Sequence, residues 1–173
     1  MKKIKIAVIG LGFGYHFAKI YANHPNVEKV IVVDLTERRV KSFLKDPEYT
    51  GKTIAYESFD DVLKDESIDA VHVCTGIDSH ATLTIKVLNA GKHCACAVPM
   101  ATSIEDIKAI VEAARKNNRK YMMMETTLYG THLLRTIEMY ERGELGKVQH
   151  MRGIHYQPMD DGYWNTNTTG PYW

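Results

Sequence analysis

The sequence has little of what would place it outside the ordinary globular classes. None of its 173 positions begins a run of 18 uninterrupted apolar residues, so no segment reads as a membrane span. Lys and Arg number 22 against 21 Asp and Glu, which leaves no basic excess to hold nucleic acid or an anionic membrane surface. Three cysteines are too few, and odd in number, for a disulfide framework. Cys74, Cys94 and Cys96 all fall in apolar strand-like runs, as expected for buried thiols in a reducing cytoplasm. The Cys94-Ala95-Cys96 pair has no further ligand near it, so no metal is expected. The opening Met1-Lys2-Lys3 imitates a signal peptide, but glycines interrupt the apolar run behind it and no small-residue cleavage site follows. A cytoplasmic protein is expected. With 45% apolar and 25% charged residues, the chain holds one domain with a real core and room for a fragment of a second.

What is present begins at Ile6-Ala7-Val8-Ile9-Gly10-Leu11-Gly12-Phe13-Gly14-Tyr15-His16-Phe17. Four apolar residues read as a strand buried on both faces, glycines follow at alternate positions, and Phe13, Phe17, Ile20 and Tyr21 set up a helical pattern. Strand, glycine turn and helix start are the context a dinucleotide-binding turn needs. Gly10 permits the tight turn, Gly12 lets backbone approach a pyrophosphate, and the helix N-terminus offers N–H groups to the anion. The third glycine of G-x-G-x-x-G belongs at position 15, where Tyr15 stands. Gly14 is then the residue left to relieve helix–strand crowding.

A second apolar run, Val30 to Val33, ends in Asp34. An acid at that strand tip can accept both ribose hydroxyls of NAD and repel a 2′-phosphate. The plainer alternative is that Asp34 caps the following helix, Glu37 to Leu44. Arg38 and Arg39 leave NADP possible beside NAD. A methyltransferase also fits the glycines and Asp34.

Strand and helix patterns alternate onward. Thr53–Tyr56, Ala70–Cys74, His93–Val98 and Tyr121–Met124 read as strands, with the methionines of the last as core filling. Helices start at Ser58, Ser79 and Thr102-Ser103, and Gly91 ends the second of these. Six strands with long connections predict a doubly wound, parallel α/β sheet of Rossmann type. Ligands in such sheets lie at the carboxyl strand ends, so the glycine turn, Asp34, Thr75-Gly76, Ala97-Val98-Pro99 and Glu125-Thr126 should ring one crevice. Residues 1–126 form this domain and 127–146 a connecting helix. A seventh strand over Val148–Tyr156 and an aromatic tail to Trp173 are expected to open an incomplete α+β second domain over 147–173.

Taken together, Ile6 to Gly14, Val33-Asp34-Leu35, Val73-Cys74-Thr75 with His80, Ala90-Gly91-Lys92-His93, Pro99-Met100-Ala101 and Gly143-Glu144-Leu145-Gly146 resemble the glucose–fructose oxidoreductase, inositol dehydrogenase and rhizopine-catabolism (Gfo/Idh/MocA) family. The resemblance covers almost the whole chain. It implies an NAD(P)-dependent oxidoreductase acting on polyhydroxylated small molecules, sugars or cyclitols. It also implies a second domain that completes the substrate site and carries homo-oligomer contacts.

By position, the resemblance assigns Gly10, Gly12, Phe13 and Gly14 to the pyrophosphate and Asp34 to the adenosine ribose. Thr75, Gly76, His80 and Ala97 would line the cofactor cleft, with Glu125 near the nicotinamide. His80 has the alternative of a first-turn helix residue. The family's Glu-Lys-Pro triplet is here Ala97-Val98-Pro99, so the lysine that meets the substrate hydroxyl is a valine, which carries no proton. No strand tip offers another proton carrier except Glu125, and His155 is the remaining candidate in this stretch. The expectation is an enzyme as a complete protein, with these residues alone binding cofactor without turnover. The alternative is a non-catalytic dinucleotide-binding or sensing module.

Overall fold

In the computed structural model the alternating patterns close into a single sheet. The structure describes residues 2–46, 51–56 and 58–154. Strands β1 (Ile4–Ile9), β2 (Val27–Val33), β3 (Thr53–Ala55), β4 (Ala70–Val73), β5 (His93–Cys96) and β6 (Tyr121–Met123) alternate with helices α1 (Gly14–Asn23), α2 (Glu37–Lys45), α3 (Phe59–Lys64), α4 (His80–Asn89) and α5 (Ile104–Lys116). Every neighbouring pair is parallel, in the order β3-β2-β1-β4-β5-β6. The order reverses between β1 and β4, which is where a doubly wound sheet opens a crevice at its carboxyl edge.

The strand sequences are apolar at nearly every position because both faces are covered. Ala7, Ile9, Ile31, Val33, Val71 and Val73 pack on one face with Val87, Leu88 and Ile110; Ile6, Val8, Val30 and Val32 pack on the other with Ala18, Ala22 and Phe43. Fully burying one such aliphatic side chain contributes roughly 1.5–3 kcal/mol. Serine caps act where they are expected: Ser58 accepts from the Asp61 N–H, and Ser103 from the Asp106 N–H. Gly91 takes φ +74° after α4, and Lys92 behind it is buried, its ammonium donating to the Asp65 and Ile68 carbonyls. That lysine of the Ala-Gly-Lys-His run therefore braces the loop between α3 and β4.

Helix α1 departs from its sequence pattern. Its buried positions are Gly14, Ala18 and Ala22, one turn apart, while Phe13 and Ile20 are exposed. Only the smallest side chains fit where the helix crosses β1 and β4. A Cβ on Gly14 would lie 2.7 Å from Val8 Cγ1 and 3.1 Å from Cys74 Cβ. Gly14 thus supplies the close helix–strand contact that position 15 would ordinarily supply. Tyr15 instead turns toward α2, its ring edge-on to Phe43 and its hydroxyl donating to Asp46 at 2.6 Å.

The chain divides into Met1–Met124 and Glu125–Trp173, two residues before the expected boundary. In the second unit a 3-10 turn (Thr126–Tyr129) leads into α6 (Thr131–Glu141), and no described residue of that unit is buried. The seventh strand is not formed over the described residues 148–154, and its remainder lies outside them. A strand exists only by exchanging backbone hydrogen bonds with a neighbour, and apolar alternation in the sequence supplies no neighbour. The methionines of β6 also differ from expectation: Met122 and Met123 are exposed, on a strand at the edge of the sheet. No helix among the described residues is long and apolar enough to cross a membrane.

Candidate functional site

The carboxyl ends of the strands stand abreast because the ladder continues one step past each of them. Gly10 N–H donates to the Val33 carbonyl, Cys74 N–H to Ile9, Ala97 N–H to Val73, and Met124 N–H to Cys96, at 2.8 to 2.9 Å. Four of the five expected tips are thereby brought together: the glycine turn, Asp34, Thr75-Gly76 and Ala97-Val98-Pro99. Glu125 belongs to the second unit, where its carboxylate accepts from the Thr127 N–H. His155 lies outside the described residues.

On the β1 side the turn is shaped by two glycines doing different things. Gly10 holds φ +90°, and a Cβ there would stand 2.6 Å from the Cys74 carbonyl oxygen. At Gly12 a Cβ would meet only the tip of Arg39, at 3.9 Å. Backbone at Gly12 is therefore open to a ligand, which is the fit a pyrophosphate requires. Phe13 is exposed beside it and Gly14 is buried at the first turn of α1. The N-cap position of α1 makes no side-chain hydrogen bond, so the donors there are left for an anion or water.

The Asp34 carboxylate is engaged by backbone. One oxygen accepts from the Leu11 N–H and the other from the Thr36 N–H, each at 2.7 Å, and Arg39 approaches to 3.6 Å. Asp34 thereby ties the glycine turn to the Thr36 amide just ahead of α2, whose N-cap residue, Thr36, makes no side-chain cap hydrogen bond. No side-chain pattern marks Leu11 as Asp34's partner, because the bond uses its backbone.

On the β4–β5 side the walls are held by His80. This residue is 1% exposed, and its ring nitrogens face the Pro99 carbonyl at 2.8 Å and the Thr75 carbonyl at 3.1 Å. The imidazole spans the tips of β4 and β5 from the first turn of α4, so neither nitrogen points into open space. A neutral imidazole can donate to only one of the two carbonyls. Thr75 shares a hydrogen bond with Ser79, whose hydroxyl also reaches the Gly76 carbonyl at 2.7 Å. Ala97 is buried, whereas Val98, joined to Pro99 by a cis peptide bond, presents an exposed side chain. Where the resemblance expects a lysine, this side thus presents an exposed apolar side chain.

Other titratable groups lie beneath the site. Burial pushes the Cys74 and Cys94 thiols up to about 12 and Cys96 to about 11, so none is a nucleophile near neutral pH. His72, in the middle of β4, is fully buried; its Nδ1 meets the Tyr21 hydroxyl at 3.0 Å and its Nε2 has no partner. Burial pushes this imidazole down to about 4. It is a core residue, as its strand position implies.

Comparison with known proteins agrees with this geometry. Residues 4–125 match the model of an oxidoreductase family with an NAD-binding Rossmann fold. Among solved structures, an NAD-binding protein from Listeria innocua is 30% identical, with a TM-score of 0.73 over 85% of this chain and 41% of its own. The scyllo-inositol dehydrogenase of Lactobacillus casei, solved with NAD(H) and scyllo-inositol, shares the fold at 23% identity and a TM-score of 0.73, over 84% of this chain and 43% of its own. Among curated relatives, a glycosyl hydrolase family 109 protein of Porphyromonas gingivalis is 26% identical over 175 residues, which is 95% of this chain and 37% of that protein. The chain thus spans little more than a third of the length of such relatives.

Proposed function

The chain belongs to the Gfo/Idh/MocA oxidoreductase family, with its NAD-binding Rossmann fold, and from that premise we propose that the complete protein transfers hydride between a nicotinamide cofactor, NAD in the first place, and a hydroxyl-bearing carbon of a sugar- or cyclitol-like substrate. The observation that carries this reading is the pairing of Gly10 at φ +90° with unobstructed backbone at Gly12, directly before a helix N-terminus. Gly10, Gly12, Phe13 and Gly14 hold the pyrophosphate by backbone. Thr75, Gly76, Ala97 and Val98 line the neighbouring crevice, with His80 keeping the two tips at a fixed separation. Bound nicotinamide supplies the hydride acceptor or donor. The accompanying proton needs a residue other than Val98, for which Glu125 and His155 are the candidates within this sequence.

A second reading has its own support. Eight curated relatives, 26–29% identical, carry the name glycosyl hydrolase family 109 protein. Nicotinamide-dependent glycoside hydrolysis exists as chemistry, so the same cofactor site suits a protein whose net reaction cleaves a glycosidic bond.

Two assays on the complete protein separate these readings. Incubation with NAD and a panel of polyols should raise absorbance from reduced nicotinamide if the first holds. Release of the aglycone from aryl glycosides, dependent on added NAD but without net reduction of it, identifies the second. Tight NAD binding with no turnover in either assay would leave the non-catalytic module. Thermal stabilisation by S-adenosylmethionine and not by either dinucleotide would sink all three.

A further inference from the structure

Where the chain leaves β4 and β5, one buried side chain turns both of its polar atoms on acceptors. The His80 ring sets Nδ1 2.8 Å from the Pro99 carbonyl oxygen and Nε2 3.1 Å from that of Thr75. A neutral imidazole carries one N–H, so its other nitrogen then faces a carbonyl oxygen with a lone pair, whereas an imidazolium donates to both. The two carbonyls are not equally provided for. Beside Thr75, the Ser79 hydroxyl bonds both the Thr75 hydroxyl and the Gly76 carbonyl. Between Ala97 and Ser103, the bond at the Pro99 carbonyl is the one hydrogen bond among the described residues, and it is the shorter of the two contacts at the ring.

We propose that His80 is a proton-operated clasp between the two strand tips: the singly protonated ring holds Pro99 alone, and a second proton, on Nε2, closes the bond to Thr75 and ties β4 to β5. The clasp stands by itself, while its effect on cofactor binding rests on the reading that the crevice takes a dinucleotide. Two carbonyl dipoles favour the second proton, and the N-terminus of α4, whose first residue is His80, opposes it. The titratable groups at this end of the elements packed against α4 are the Cys74 and Cys96 thiols, kept protonated by burial, Asp78 on the 3-10 turn before it, and Glu105 and Asp106 in the first turn of α5. None of them hydrogen-bonds or ion-pairs with the ring. The clasp therefore answers to buried dipoles, and added salt should alter it little. Since the tied form is the one that carries the extra proton, the wall of the crevice is firmest at low pH and loosens as pH rises.

NMR of the ring nitrogens in labelled protein, at about pH 5.5 and about pH 8, on either side of the range in which histidine ordinarily changes charge, reads the clasp directly. Nδ1 should carry a proton at both, and Nε2 only at the lower. Calorimetric titration should find NAD bound about fivefold more tightly at the lower pH, the worth of one hydrogen bond. ADP-ribose, which lacks the nicotinamide, should change less. His80→Gln keeps an amide donor that does not titrate and should flatten the dependence on pH. His80→Leu offers no donor and should bind NAD weakly at both. The proposal is overturned if Nε2 gains no proton at the lower pH, or if His80→Gln keeps the full dependence. Should both variants fail to fold, the ring nitrogens of the unaltered protein still decide the matter. A protein whose ring gains the second proton but which binds no dinucleotide would bear out the clasp and overturn the reading of the crevice instead.

Discussion

The crevice at the carboxyl edge of the sheet has two sides, and they are held by opposite chemistry. On the β1–β2 side, backbone donors are tied down by a carboxylate: Leu11 and Thr36 N–H on Asp34. On the β4–β5 side, backbone acceptors are tied down by an imidazole: the Thr75 and Pro99 carbonyls on His80. The first arrangement leaves open backbone at Gly12 beside a guanidinium, surroundings that suit an anion. The second leaves an exposed valine, surroundings that suit an uncharged ring or chain. One sheet edge thus offers the two ends of a dinucleotide two different environments, and in each the charged or polar side chain is spent on backbone.

The comparison is sharpest where geometry admits no alternative. Gly10→Ala should abolish the β1–β2 side. It forces an L side chain into φ +90° and sets its Cβ 2.6 Å from the Cys74 carbonyl oxygen. Strain and overpacking together put the loss on the order of 3 kcal/mol or more. Denaturant unfolding measures it. A variant as stable as wild type, with dinucleotide affinity intact, would mean that the turn does not have this shape.

The next effect comes from beneath the crevice and depends on pH. His72 is held neutral by burial, at about 4 in the fold against an ordinary 6.5. The unfolded chain therefore binds more protons than the folded one between those values. Stability from this residue is fully present above pH 6.5 and drains away as pH falls toward 4, by an amount on the order of 3 kcal/mol. Unfolding free energies at pH 7 and pH 4.5 should differ accordingly, and His72→Leu should flatten the dependence. An unchanged slope in that variant would assign the effect elsewhere.

How far the fold and site could be read from residues follows from which atoms do the work. The sheet was legible because burial on both faces leaves its mark in the central strands, as in Val30 to Val33. Gly10 was legible because only glycine tolerates the φ and the close approach found there, and Gly12 because of its place two residues on in the turn. The hold of Asp34 on Leu11, and of His80 on Pro99, was not, because each uses a backbone atom that any residue would provide. The buried face of α1 was only half legible, since Phe17 and Tyr21 of its apolar pattern pack against the core. Phe13 and Ile20 of the same pattern are exposed, and the close crossing over β1 and β4 is made by Gly14, Ala18 and Ala22. The strand expected over 148–156 failed, within the described residues, for want of a partner that alternation cannot specify.

A smaller effect is expected on the β4–β5 side. His80→Ala removes the group between two carbonyls and leaves a cavity at a site that is 1% exposed. At about 1 kcal/mol for the hydrogen bond to a carbonyl, with a cavity and desolvated carbonyls left behind, the cost is roughly 2–3 kcal/mol of stability. Affinity for ADP-ribose, which lacks the nicotinamide, should change less than affinity for NAD, because the loosened tips border the other half of the crevice. Equal losses for both ligands would show that the two sides are not separable.

The smallest effect expected is at Val98, an exposed residue of that side. Its isopropyl group neither donates nor accepts, and it is 40% exposed, so truncation removes little burial and no hydrogen bond. Val98→Ala should cost less than about 1 kcal/mol in stability and leave turnover of the complete protein within a fewfold of wild type. Removing the true proton carrier should instead lower the rate roughly 10²–10⁴-fold. Glu125→Gln and His155→Phe, assayed beside Val98→Ala across a range of pH, identify that carrier if it lies in this sequence, since its loss should also erase a limb of the pH profile. Were Val98→Ala alone to reduce the rate a hundredfold, the exposed valine would have to act by shape, orienting the reacting ring against the nicotinamide, and the β4–β5 side would then contribute more than a neutral surface to the chemistry.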